Sequence, residues 1–191
     1  MELILASTSV YRRTLLERLN LPFRSVAPEI DEDVFKNSGL TPEVLAETLA
    51  VAKAKAVWSR FPKAVVIGSD QVATFEGRIL GKPATAERAV DQLLGMAGRP
   101  HRLVTSVAIA DANGIERFTD VATLHLRAID REEAVRYVEA DRPLDCAGSY
   151  KIEELGISLF DRIESGDHTA IVGLPLIELG KRLRARGFRI P

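Results

Sequence analysis

The stretch ILASTSVYRR, residues 4–13, begins as a continuous apolar run and ends as the charged first turn of a helix. Residues Glu2 to Ala6 predict a short buried strand. Ser9 predicts the N-cap of a helix that continues through TLLERL with Leu15, Leu16 and Leu19 on one face. A strand that feeds a capped helix with no linker is a building unit of layered α/β folds. Ser7 and Ser9 put hydroxyls beside the unbonded N–H groups of a helix start, where the helix dipole favours an anion. Arg12 and Arg13 add fixed positive charge one turn in. Neighbouring helical positions diverge by about 100°, so one arginine suffices for that anion and the other is left for a carboxylate or a second phosphate. Two solvated arginines on a capped surface helix are the plain alternative on the local sequence alone.

Outward from this segment the interleaving repeats. Thr41 and Pro42 predict the start of a long helix through EVLAETLAVAKAKAVWSRF, which Pro62 ends. AVVIGS, residues 64–69, reads as a buried strand, and VATFEGRIL as a hairpin turning at Glu76-Gly77, with Asp70 at a break between the two. TAERAVDQLLGMA predicts a helix capped by Thr85 and stopped by Gly98-Arg99-Pro100. Residues 102–110 and 115–127 flank the turn Asp111-Ala112-Asn113-Gly114 as an antiparallel ribbon. DREEAVRYVEA predicts a helix from Asp130, and AGSYKIE and ISLFDRIES predict extended segments. Pro175 opens a last helix that ends at Gly187. No internal repeat, low-complexity tract or Pro/Gly/Ser-rich linker interrupts the pattern, which predicts an α/β fold with a mixed sheet flanked by helices.

A chain of 191 residues fits one domain with a substantial core. Its 26 Lys and Arg balance 27 Asp and Glu, which leaves no overall field for a nucleic-acid backbone or an anionic membrane. An anionic partner must therefore meet a local cluster. Cys146 is the only cysteine, which excludes an internal disulfide and a cysteine-rich metal site and agrees with a reducing cytoplasm. The N-terminus lacks a basic leader and no run approaches about 18 apolar residues, so neither export nor a membrane span is expected. GxGxxG, the P-loop pattern, HExxH and paired CxxC are all absent. His101, His125 and His168 are too scattered for a metal cluster and read as surface or satisfied polar residues.

Four other stretches carry ionisable groups. IDED, residues 30–33, supplies three carboxylates in an expected loop, and AVAKAKA supplies Lys53 and Lys55. GSDQV places Asp70 at an expected strand end, and GKP places Lys82 after a turn. Each alone has an ordinary structural explanation, as a solvated loop, a solvent-facing lysine or a turn former. Together they offer basic groups to neutralise several phosphates and carboxylates to hold a divalent ion or activate water, which is what cleavage of a nucleoside triphosphate requires.

These residues carry a resemblance. At ILASTSVYRRTLLE, IGSDQV, GKP, PLDCAGSYKIEELGIS and TAIVGLPLIEL the chain is similar to the Maf-like nucleoside triphosphate pyrophosphatases, in the same order and nearly end to end. The resemblance implies that residues 1–191 form a single Maf/Ham1-like α/β domain, elongated and two-lobed with a central cleft, often paired as a homodimer. It implies hydrolysis between the α and β phosphates to a nucleoside monophosphate and pyrophosphate, with magnesium or manganese. Position by position, it implies that Ser7, Arg12 and Arg13 grip phosphate oxygens. Lys53 and Lys82 would neutralise charge on the departing pyrophosphate, Asp70 would be the general base, and Glu32 would help hold the metal. Asp70 serves equally as a metal ligand, since an ordinary carboxylate is a weak base unless a metal acidifies the attacking water. Ala52 stands where relatives often carry a glutamate, so no role is assigned to a carboxylate there.

Within that family the chain resembles the branch acting on 7-methyl-GTP, through Tyr11, Gln71 and Glu153 and through CAG at Cys146 where the dTTP/UTP branch usually reads KAG. A carboxylate at Glu153 can accept from the N1–H and amine edge of a guanine, and it repels the two carbonyls of thymine or uracil. The N7-methylated base is cationic, which favours that carboxylate and an aromatic face such as Tyr11. The bland readings are a core or interface Tyr11, a Gln71 bonded to a neighbouring strand, a solvated Glu153-Glu154 pair and a small buried Cys146. Alternatives to 7-methyl-GTP are dTTP or UTP, or a role as a nucleotide-binding regulator of cell division, since the family has been linked to septum formation.

Overall fold

Local caps and apolar runs account for most elements of the computed structural model, which describes residues 1–36 and 39–191. Strand β1 (Leu3–Leu5) is followed by helix α1 (Val10–Glu17), capped by Ser9, whose side chain accepts from the Arg12 N–H. The two-residue β2 (Arg24–Ser25) and the short α2 (Glu32–Lys36) lead to the long α3 (Pro42–Trp58), capped by Thr41 with Pro42 in its first turn. Then come β3 (Val65–Phe75), β4 (Arg78–Leu80), α4 (Ala86–Met96) capped by Thr85, β5 (Pro100–Asp111) and β6 (Gly114–Leu126). A capping box of Asp130 and Glu133 opens α5 (Arg131–Asp141). A 3₁₀ turn (Leu155–Leu159), β7 (Phe160–Glu164), α6 (His168–Val172) and α7 (Leu176–Ala185) complete the chain.

The sheet has the order β2-β1-β3-β5-β6-β7, with β4 paired to β3. β1 runs parallel to β2 and β3, whereas β3–β4 and β6–β7 are antiparallel, so the sheet is mixed as the interleaving predicts. The chain forms two compact units: one of Met1–Gln71, Val104–Asp120 and Asp167–Pro191, the other of Val72–Leu103 and Val121–Gly166. Among the described residues no helix is long and apolar enough to cross a membrane.

In the first unit the period-2 alternation of β3 sorts side chains to two faces. Val65 and Ile67 pack with Leu15 and Leu16 of α1 and with Leu179 and Leu183 of α7. Ala64 and Val66 pack with Val57 of α3. Truncating one of these fully buried leucines to alanine removes about 2–5 kcal/mol. In the second unit α4 lies against α5, and His101, Tyr150 and Phe160 form an aromatic cluster with His101 Nε2 2.8 Å from the Tyr150 hydroxyl.

Five expectations change, the first being that ISLFDRIES is only partly extended: residues 157–159 close the 3₁₀ turn and Phe160–Glu164 alone form the strand. No break separates AVVIGS from VATFEG: β3 is continuous and Asp70 lies within it, because its carboxylate finds a cationic partner and its backbone stays in the ladder. IDED is not all loop, since Glu32 and Asp33 begin α2. AGSYKIE is not extended: Gly148 and Ser149 have positive φ, and the segment is pinned by Ser149 Oγ donating to Gln92 and the Lys151 N–H donating to the Tyr137 hydroxyl. His101 is buried, and the satisfied alternative holds for it only in part: Nε2 meets the Tyr150 hydroxyl, while among the described residues Nδ1 has no hydrogen-bond partner. The expected hairpin does turn at Glu76-Gly77, both with positive φ.

Candidate active site

The centre of the first unit is a close approach of α3 to β3. A Cβ on Gly68 would stand 2.3 Å from the Ala50 carbonyl oxygen and 2.6 Å from the Ala54 nitrogen, so only glycine lets the helix lie this low on the strand. Lys53, between those two contacts on α3, and Asp70, two residues beyond Gly68 on the same strand face, are thereby brought together. Lys53 Nζ donates to Asp70 Oδ1 at 2.6 Å, and the two residues are only 5% and 7% exposed. Lys55 points to solvent.

The same ammonium lies 2.7 Å from Glu32 Oε1, so one lysine joins carboxylates from α2 and β3. Lys36, one turn after Glu32, adds a second contact at 3.0 Å. Partial burial works against the Glu32 carboxylate, but hydrogen bonds and charge from Lys53 and Lys36 outweigh it and hold its pKa down at about 2. Glu32 is therefore anionic throughout the physiological range.

Arg12 and Arg13 part company. Arg12 is half-buried, and its Nε donates to the Gly173 carbonyl at 3.0 Å. Desolvation lowers its pKa, against the opposing pull of Asp70 and Glu32, yet a guanidinium remains charged. Arg13 is exposed and pairs with Glu17 at 3.1 Å, the carboxylate partner that the sequence allowed for one of the two. Ser7 is buried and its Oγ accepts from the Ser9 N–H, while Ser9 caps α1. Tyr11 is half-buried in the first turn of the same helix.

Ser69 and Gln71 flank Asp70 and turn the opposite way. Ser69 Oγ donates to the Gly173 carbonyl at 3.0 Å. Gln71 Nε2 bonds Thr105 Oγ1 and the carbonyls of Ala170 and Ile171 at 2.9–3.0 Å. Lys82 and Glu153, both exposed, belong to the second unit, as does Cys146, which is partly rather than fully buried. Burial, with the nearby Asp145 carboxylate, pushes the Cys146 thiol up to about 12, so it is an inert thiol at neutral pH.

Glu32 and Asp70 are the carboxylates that converge. Among the described residues no group of three or more His, Cys, Asp or Glu gathers as a metal site. The point that Glu32 and Asp70 share is the Lys53 ammonium, so these two hard oxygen donors fit magnesium or manganese, with substrate phosphates as further ligands, once that ammonium has moved aside. Lys36, Ser69, Thr105 and Gly173 were not singled out in the sequence. The i, i+4 spacing of Glu32 and Lys36 is a signal that reveals one of them.

The chain belongs to the family of Maf-like proteins, which it matches over residues 2–186. It is 53% identical over 189 residues to the 7-methyl-GTP pyrophosphatase of Xanthomonas axonopodis pv. citri, covering 99% of this chain and 98% of the relative. It is 50% identical over 182 residues to the protein of that name from Bdellovibrio bacteriovorus, covering 95% of each. With the one from Pseudomonas aeruginosa it shares 49% over 194 residues, covering 100% and 99%. Among solved structures, a HAM1 protein from Coxiella burnetii is similar with a TM-score of 0.49 and 16% identity, over 97% of this chain and 99% of that one.

Proposed function

We propose that this protein is a nucleoside triphosphate pyrophosphatase that hydrolyses 7-methyl-GTP to 7-methyl-GMP and pyrophosphate, removing a modified nucleotide before it is used as GTP. The observation that carries the reading is the buried Lys53 held between Asp70 and Glu32, with Arg12 charge-coupled to both carboxylates. It occurs in a chain about half identical, nearly end to end, to relatives named for that reaction.

Arg12 and Ser7 hold phosphate oxygens, and Arg13 joins them by releasing an exposed Glu17 pair that holds it only weakly. Phosphate oxygens compete for Lys53 and draw its ammonium from the carboxylates. Lys53 and Lys82 then stabilise the charge that develops on the departing pyrophosphate. Asp70 orients the attacking water and receives its proton. A divalent metal, magnesium or manganese, held by Glu32 and Asp70 would screen the phosphates and acidify that water. Glu153 selects a guanine-type base by accepting from its N1–H and amine, and Tyr11 offers an aromatic face to the cationic ring. Gln71, its amide nitrogen committed to the protein, contributes by fixing the wall it stands on.

The reaction belongs in the cytoplasm, where nucleotides are used and the lone Cys146 stays reduced. A homodimer is part of the same reading and is read out by light scattering. The test of function is pyrophosphate release from 7-methyl-GTP, GTP, dTTP, UTP, CTP and ITP, with magnesium and with chelator. Metal-dependent release from 7-methyl-GTP is expected to exceed the others at least tenfold. Preference for dTTP or UTP would overturn the assigned base, and no release from any substrate would leave a nucleotide-binding regulator as the better reading.

A further inference from the structure

The Gly173 carbonyl is a meeting point. It accepts from Ser69 Oγ and from Arg12 Nε, each at 3.0 Å, which fills both lone pairs. Gly173 itself is fixed, its N–H bonded back to the Thr169 and Ala170 carbonyls as the C-terminal cap of α6 with φ +119°. A Cβ there would meet Arg12 Nε at 3.4 Å, in a conformation that other residues rarely adopt. Ser69 is fully buried on β3, one residue before Asp70. The carbonyl that holds the arginine is thus tied to the strand that carries the carboxylate. Gln71, one residue after Asp70, ties the α6 carbonyls of Ala170 and Ile171 to the same strand.

We propose that Ser69 is a positioning residue for Arg12: by holding the Gly173 carbonyl, it orients the guanidinium so that its two terminal nitrogens face a bound polyphosphate. With Nε committed to the carbonyl, those two nitrogens are the fork that can engage phosphate oxygens side by side. Losing the Ser69 bond leaves that peptide plane held only by the Leu174 N–H bond to the Thr169 carbonyl on its other edge, so the carbonyl gains freedom to tilt and the fork loses aim while keeping its charge. This inference rests on the reading that Arg12 meets phosphate, and not on which base is bound or whether the bond is cleaved.

The test is a double-mutant cycle with Ser69→Ala and Arg12→Ala, read as calorimetric binding of inorganic tripolyphosphate, which has no base. Ser69→Ala is expected to weaken binding about 3- to 10-fold, the range of one lost hydrogen bond. In the Arg12→Ala background the same change is expected to be silent, because the carbonyl has no arginine left to aim. Equal losses in both backgrounds, or no loss in either, would overturn the proposal, as would failure of the wild-type protein to bind tripolyphosphate. If alanine at this buried position unfolds the chain, Ser69→Cys, of similar volume and a poor donor, carries the same cycle. A wild-type protein that binds tripolyphosphate and cleaves no nucleotide would sink the proposed function while leaving this cycle decisive.

Discussion

Lys53 Nζ lies 2.6 Å from Asp70 Oδ1, and both groups are buried. The contact spans two elements and is completed by Glu32 on a third, so the charges that the proposed chemistry uses are also part of what the first unit buries. Removing one partner from a buried pair is far costlier than removing both, because an uncompensated charge is left behind.

Lys53→Met is accordingly expected to lower stability by about 3 kcal/mol and turnover by about 100-fold or more. The double variant Lys53→Met, Asp70→Asn should recover most of the stability and none of the turnover. Thermal denaturation alongside pyrophosphate release checks both. Strict additivity of the two stability losses would mean that the pair is not energetically coupled.

Gly68→Ala places a methyl group against the backbone of α3, with no flexible side chain to give way. The helix must lift, at a cost of about 3 kcal/mol, and Lys53 is carried off Asp70. We expect a lower melting temperature together with a fall in kcat that Ser59→Ala, an exposed change near the C-terminal end of the same helix, does not produce. Wild-type kcat in Gly68→Ala would show that this approach does not set the site.

Glu153→Gln keeps the size of the side chain and replaces one acceptor oxygen with a donor. It should reduce kcat/KM for 7-methyl-GTP by about tenfold or more and affect dTTP little. Competition assays with paired substrates measure this directly. An equal loss for every base would make Glu153 structural.

Acid should act first on the second unit. Burial, with a smaller contribution from His125, lowers the His101 pKa to about 4, so the folded chain keeps this imidazole neutral. Between pH 6.5 and 4 the unfolded chain therefore binds more protons, and stability falls as pH falls through that window, by on the order of 3 kcal/mol in total. Urea denaturation at pH 7, 5.5 and 4.5 should show the loss in the wild type, and His101→Gln should abolish the part of the slope between pH 7 and 5.5. Glu32, anionic in the folded chain down to about pH 2, adds a loss of its own only from about pH 5 downward, where its unfolded carboxyl begins to take up protons.

The local chemistry of the chain determined a great deal. Ser9, Thr41, Thr85 and Asp130 cap the helices at which they were expected, since a cap needs only a short polar side chain and the N–H groups two or three residues ahead. Apolar runs marked β1, β3, β5 and β6, and their interleaving with helices marked a mixed sheet. The order of motifs marked the family. Periodicity was weakest where turns dominate: AGSYKIE looked extended but is shaped by positive-φ residues and side-chain bonds, and α6 is too short to show a helical period.

What only the tertiary structure decided is which charges turn inward. Lys53 and Lys55 are alike as helix residues, and Arg12 and Arg13 are neighbours. Their fates differ because a strand lies under one face of α3, where Gly68 leaves room, and because a carbonyl 161 residues away along the chain waits for Arg12. Capping and periodicity are local properties that a sequence carries with it. The burial of a charge depends on a partner that only the folded chain brings within reach.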